Sequence, residues 1–252
     1  MIACADDPEV VALLPQAACP VETYGFSAGA SLRLSALHDD GQRTRFTSTG
    51  PGGEAHWAMP LPGRHNALNA AAVVALSRHL GYADVEAARA METFSGVRRR
   101  QEVRGQVNGI TVLDDFAHHP TAVASTIEAI RGRYPGQRLW AVFEPRSFTA
   151  RSDRFREAFV AALSGADRVV LAPPYQSGYS AGVAVLDTAA AAGAIASGGG
   201  WARAAADTEE ILALLGGEAR PGDVVLIMSN GGFDNIHQRL LEALANGGTT
   251  AP

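Results

Sequence analysis

Ile110-Thr111-Val112-Leu113-Asp114-Asp115-Phe116-Ala117-His118-His119-Pro120-Thr121 decides the fold. A short apolar run ends in two carboxylates, two imidazoles and a proline. Such a run, bounded by turn signals, reads as a buried strand. Pro120 suits the first turn of a helix, which the pattern continues to Tyr134. Upstream, Asn108-Gly109 joins Glu102–Val107 to Ile110–Asp114 as a hairpin. Downstream the alternation repeats. Strands are expected at Leu139–Phe143, Arg168–Ala172, Trp201–Ala205 and Val224–Met228. Helices are expected at Asp153–Leu163, Asp187–Ile195, Thr208–Leu215 and Phe233–Leu244. Asp207-Thr208-Glu209-Glu210 has the form of a capping box. The alternation predicts an α/β fold with a mostly parallel sheet.

Residues before Gly96 follow another pattern. A strand at Met1–Ala5, a helix at Glu9–Leu14 and strands at Ser31–Leu37, Thr44–Thr49 and Glu54–Met59 are expected, with Asp39-Asp40-Gly41 as a hairpin turn. Two helices follow, His65–Leu80 closed by Gly81 and Asp84–Phe94 capped by Asp84. This segment reads as having too few strands for a sheet of its own, and so as part of a domain that starts upstream of Met1. A boundary is expected at 95–98, and Gly247–Pro252 is expected to fray.

Composition narrows the function. The 252 residues are 47% hydrophobic, enough for a real core. A net charge of -5 gives no basic excess for nucleic acid. No apolar run is long enough to span a bilayer, and the N-terminus lacks a signal-peptide pattern, so a cytoplasmic protein is expected. Cys4 and Cys19 match no metal or redox spacing. All 21 basic residues are arginine. Without lysine the chain contains neither a Walker A loop nor a Schiff-base nucleophile.

In an open parallel sheet, ligands bind beyond the carboxyl ends of the strands. Four polar clusters follow predicted strands: Asp114 to Pro120; Glu144-Pro145-Arg146-Ser147 with Arg151; Pro173-Pro174-Tyr175-Gln176; and Ser229-Asn230-Gly231-Gly232. All four are expected on one sheet edge. Asp114, Asp115, His118 and His119 suit metal binding, a ribose or proton transfer, or else a helix-capping loop. Arg146 and Arg151 suit a bidentate anion clamp or surface ion pairs. Ser229–Gly232 suits an anion at a helix N-terminus, or a tight turn. Arg98-Arg99-Arg100 suits polyphosphate or a solvated linker. Gly63-Arg64-His65-Asn66, with Asn69, suits an adenine edge or a cap.

Together these pieces resemble the Mur ligases, ATP-dependent enzymes of peptidoglycan synthesis. Gly63-Arg64-His65-Asn66-Ala67-Leu68-Asn69-Ala70-Ala71-Ala72 is similar to their G-x-H-N-x-x-N-x-x-A-A helix. Phe94-Ser95-Gly96-Val97-Arg98-Arg99-Arg100 resembles their domain junction. Asp114 to Thr121 resembles the D-D-[YF]-[GA]-H-H-P-T motif of the branch that ligates onto UDP-N-acetylmuramate. Arg99–Gly105, Phe143–Ser147 and Met228–Phe233 resemble the members of that branch that attach the tripeptide L-Ala-γ-D-Glu-meso-diaminopimelate during recycling.

The resemblance implies the C-terminal part of a central ATPase domain at 1–96 and a Rossmann-like C-terminal domain at 97–252. It places the P-loop, the UDP-sugar domain, a carbamylated lysine and most ligands for ATP and Mg2+ outside this chain. The isolated chain is therefore expected to be inactive. The resemblance implies that His65 and Asn66 contact adenine, Arg100 the phosphates and Asp115 the ribose. His118 and Asp115 are the implied catalytic residues. His118, His119, Arg146, Arg151, Ser229, Asn230, Gly231 and Gly232 face the acceptor peptide, and no metal site is expected within the chain. Phe116 stands where some relatives have tyrosine. The alternatives are an L-alanine ligase of the same branch and a non-catalytic nucleotide- or muropeptide-binding module.

Overall fold

The computed structural model describes residues 1–176 and 184–247. The expectation for the tail lies, from residue 248 on, outside the described residues. The chain forms two compact units, Met1–Gly96 and Val97–Pro252.

The first unit contains β1 (Ile2–Cys4), α1 (Pro8–Leu13), β2 (Glu22–Gly25), β3 (Leu32–Asp39), β4 (Thr44–Gly50), β5 (Gly53–Met59), α2 (Arg64–His79) and α3 (Asp84–Glu92). Asp7 caps α1, accepting from the Glu9 and Val10 amides. The strands form one sheet in the order β1-β2-β3-β4-β5. β1, β2 and β3 run parallel; β3, β4 and β5 form antiparallel hairpins. The expectation of too few strands is thus corrected. β2, which escaped the sequence reading, bridges β1 to β3 and completes five strands.

Leu32, Leu34, Phe46, Trp57 and Met59 pack against Ala67, Ala70, Ala71, Val74 and Ala75 of α2 and Ala87 and Met91 of α3. Small residues on α2 let the helix lie close on the sheet. Asp84 does not cap α3. It sits one residue inside and forms a bidentate pair with Arg78 at 2.9 and 2.8 Å, while Glu86 accepts from the Ala83 amide at 2.9 Å.

The second unit contains β6 (Glu102–Val107), β7 (Ile110–Asp115), α4 (Pro120–Arg133), β8 (Leu139–Phe143), α5 (Arg156–Leu163), β9 (Arg168–Leu171), α6 (Thr188–Ser197), β10 (Ala202–Ala204), α7 (Thr208–Glu218), β11 (Val224–Met228) and α8 (Ile236–Gly247). Short 3-10 turns at Asp153–Phe155 and Phe233–Asn235 precede α5 and α8. Asn108 and Gly109 both have positive φ, 51° and 76°, as a two-residue hairpin of this twist requires. The sheet order is β10-β9-β8-β11-β7-β6, parallel except for β6. Asp207 caps α7 through the Glu210 amide, and Glu210 returns its bond to Ala206 rather than to Asp207.

Every residue of β7, β8 and β11 is buried, as expected for a parallel sheet with both faces covered. Leu113, Leu139, Ala141, Phe143, Leu226 and Met228 face α4, α5 and α6. Val112, Trp140, Val142, Val225 and Ile227 face α7 and α8. Burying each large side chain stabilises the fold by roughly 1.5–3 kcal/mol. Among the described residues no helix is long and apolar enough to cross a membrane.

Candidate active site

Strand register builds the site. Asp115 pairs with Met228, Met228 with Phe143, and Phe143 with Leu171, so four parallel strands end level. The chain continues from them at Phe116, Glu144, Ala172 and Ser229. Helices lie on opposite faces either side of the β10–β11 crossover, which places this rim at the sheet's switch point.

The pleat sends the two aspartates to opposite faces. Asp115, 2% exposed, accepts from the Gln101 amide at 2.9 Å, the Ala117 amide at 2.7 Å and Thr126 Oγ1 at 3.3 Å. Burial pushes its carboxyl above the ordinary value, against the pull of the Ala117 and Gln101 amides and the Arg100 charge. The carboxylate is turned inward, with Oδ1 accepting two hydrogen bonds and Oδ2 one. Asp114 lies on the other face, 3.3 Å from His237 Nε2 and 3.4 Å from Arg99 Nε. Burial tends to raise its carboxyl, but His237 and Arg99 together hold it below the usual range.

His118 is half-buried, with Nδ1 2.9 Å from the Phe116 carbonyl and its ring edge-on to Phe116. A carbonyl only accepts, so Nδ1 carries a proton and donates, and Nε2 is left free of this bond. His119 is exposed beside Phe155.

Arg146 stacks 3.6 Å above the Tyr175 ring and pairs with Glu144 at 3.5 Å. Glu144, 6% exposed, also accepts from Ser229 Oγ. Ser229 Oγ takes the Gly231 amide at 2.9 Å. Gly231 is required by close approach: a Cβ there would overlap Arg146 Cδ and Nε. Asn230 Oδ1 is buried without a hydrogen-bond partner, and Gly232 is exposed. Arg151, by contrast, turns inward and donates to the Tyr175 carbonyl at 2.8 Å. It braces the loop that carries the Arg146 platform.

The structure therefore brings Asp115, His118, Arg146 and Ser229–Gly232 to one rim. Arg100 is exposed near the Phe116 ring. His65 and Asn66 belong to the first unit, in the opening turn of α2, where Asn66 Nδ2 donates to the Pro62 carbonyl at 2.7 Å. The sequence gives no separate role to Glu144, Tyr175 or His237, and reads Arg99 only as one of the Arg98-Arg99-Arg100 run. Glu144 and Tyr175 lay inside the quoted clusters, which was the available signal. Arg99 looked like one of three equal arginines, and His237 lay inside a helix.

Comparison with known proteins gives this rim its context. The Mur ligase middle domain profile matches residues 1–77, and the profile for the Mur ligase glutamate ligase domain matches residues 99–231. The chain belongs to the Mur ligase family. It is 38% identical, over 253 residues, to a UDP-N-acetylmuramate--L-alanine ligase of Halorhodospira halophila, covering 98% of this chain and 52% of that protein. It is 41% identical over 194 residues to the Escherichia coli UDP-N-acetylmuramate--L-alanyl-gamma-D-glutamyl-meso-2,6-diaminoheptandioate ligase, covering 77% of this chain and 40% of that one. A murein peptide ligase from Psychrobacter arcticus matches with a TM-score of 0.73 at 28% identity, over 97% of this chain and 51% of that one. The chain spans about half the length of these relatives. Both acceptor types, L-alanine and the tripeptide, occur among them, so membership of this Mur ligase family leaves the acceptor open.

Proposed function

We propose that this Mur ligase chain is the nucleotide- and acceptor-handling part of an ATP-dependent amide ligase. The reaction joins L-Ala-γ-D-Glu-meso-diaminopimelate to UDP-N-acetylmuramate in peptidoglycan recycling. The muramyl carboxylate attacks the γ-phosphorus of ATP and ADP leaves. The tripeptide amine then attacks the acyl phosphate carbon, phosphate leaves, and the amine proton passes to His118 Nε2. His65, Asn66 and Arg100 serve the nucleotide. Arg146 and the Ser229–Gly232 turn serve the acceptor.

The observation that carries the tripeptide reading is the Arg146 platform. Its guanidinium is fixed between Tyr175, Glu144 and Gly231. A fixed, planar cation at a rim suits a carboxylate far from the reacting amine. L-Alanine has no such distant carboxylate. The described residues gather no group of three or more metal-ligating side chains. They do not by themselves fit Mg2+, and no step here is assigned to it.

The second reading, an L-alanine ligase, is favoured by the 38% identity to the Halorhodospira enzyme. The test uses the full-length protein with ATP, Mg2+ and UDP-N-acetylmuramate, and measures ADP release and product mass with each acceptor. Ligation of the tripeptide is expected; product from L-alanine alone overturns this reading in favour of the second. The 252-residue polypeptide, which has no lysine for a P-loop, is expected to release no ADP in the same assay.

A further inference from the structure

Arg99 ties separate parts of the rim together. Its Nη2 donates to two carbonyls of one turn, Ser229 at 2.6 Å and Gly231 at 2.7 Å. Its Nε faces Asp114 at 3.4 Å. Asp114 is buried, and His237 of α8 and Arg104 of β6 converge on it at 3.3 and 3.7 Å. The guanidinium is thus anchored at one end and grips the acceptor turn at the other.

The backbone around Arg99 is strained. Arg99 and Gln101 both have positive φ, 60° and 52°, a region that non-glycine residues adopt only at a cost. Such a conformation persists only where the surroundings over-determine it. Here the Arg99 carbonyl accepts from the Phe116 amide at 2.8 Å, the Arg99 amide donates to Glu102 at 2.8 Å, and the Gln101 amide donates to Asp115 at 2.9 Å. Arg100 sits between the two strained residues. Its exposed guanidinium and that of Arg99 lie 5.4 and 5.2 Å from the same Phe116 ring.

A ligand that pulls on Arg100 therefore pulls on a strained segment whose neighbouring side chain holds the turn at 229–231. We propose that Arg99 is a positioning residue that couples nucleotide binding at Arg100 to acceptor binding at the Ser229–Gly232 turn. This deepens the function proposed above and depends on it. The strained segment 99–101 is the element with two arrangements, and each ligand favours the one shown. Coupling of this kind is reciprocal: each ligand strengthens the other by the same factor.

The test measures ADP binding to the full-length protein by calorimetry, alone and with saturating tripeptide, and the converse titration. UDP-N-acetylmuramate is omitted so that no turnover occurs. In the wild type each ligand is expected to tighten the other by about fivefold or more. Arg99→Gln brings the coupling factor, the ratio of each ligand's affinity with and without the other, to unity. Arg99→Lys, which retains the charge beside Asp114 without the planar fork, lowers the factor partway and serves if the glutamine variant fails to fold. A wild-type factor of unity, or a factor unchanged in the folded variants, overturns the coupling while leaving the site reading intact. A wild type that binds neither ADP nor the tripeptide overturns both.

Discussion

The two units use their sheets differently. In the first, helices cover one face, and β4 alternates buried Thr44, Phe46 and Ser48 with more open Arg45, Thr47 and Thr49. In the second, helices cover both faces, and β7, β8 and β11 are buried throughout. A sheet with an open face can spend polar side chains along its strands. A doubly covered parallel sheet can expose them only beyond its strand ends, and this gathers them at a rim. The candidate acceptor site is a by-product of that coverage.

Five substitutions probe the contrast. The largest effect is expected from Trp140→Ala. Trp140 is fully buried, and its Nε1 donates to Asp223 at 2.9 Å. Its truncation leaves a cavity between covered faces and costs about 3–5 kcal/mol in urea unfolding. A loss near zero would contradict the doubly covered core. Next is Gly231→Ala, measured as ligation by the full-length protein. The new methyl displaces Arg146 from Tyr175, and a misplacement of about 1 Å lowers turnover roughly 100-fold with little change in stability. Unchanged turnover would remove Arg146 from the acceptor site.

The adjacent aspartates give a subtler contrast, read from unfolding between about pH 3 and pH 8. Asp114 is held below the unfolded value of about 3.9, so its contribution is present above that pH and fades as pH falls through the folded value. Asp114→Asn is therefore destabilised at neutral pH, and the gap to wild type narrows on acidification. Asp115 is raised, so its ionisation disfavours the fold as pH rises through the folded value. Relative to wild type, Asp115→Asn gains stability with rising pH. Parallel profiles would show that the two faces of β7 do not differ electrostatically. The smallest effect belongs to Arg45→Ala on the open face of the first sheet, where the pair with Asp40 at 3.0 Å is exposed. A change within about 0.5 kcal/mol is expected in the same assay; a loss like that of Trp140→Ala would abolish the distinction between the sheets.

The same contrast explains what the sequence disclosed. Covered strands are largely apolar runs, so β7, β8, β9 and β11 are readable to within a residue, and the Asn108-Gly109 turn fixes the β6–β7 hairpin. The singly covered sheet hid β2. Glu22-Thr23-Tyr24-Gly25 is four residues long with no apolar period, and its strand character comes from pairing with β1 and β3. The start of α3 misled for a local reason: Asp84 finds Arg78, and Glu86 takes over the exposed amide. At the rim, residue types were legible because they followed strands. Orientation was not. Whether Asp115 points at solvent or at the Gln101 and Ala117 amides depends on a fold that brings residues 101 and 115 together. Arg99 is set apart from its arginine neighbours by Asp114 and by carbonyls 130 and 132 positions away.

The three tryptophans divide between the units: Trp57 lies in the first, Trp140 and Trp201 in the second. The latter two rings meet edge to face at 5.4 Å and 76°. Two indoles so close and so inclined share their electronic excitation and give a split circular-dichroism band that a solitary indole cannot. The protein thus carries an optical label on one of its two halves, and melting of that half can be followed in the unmodified chain without attaching a dye.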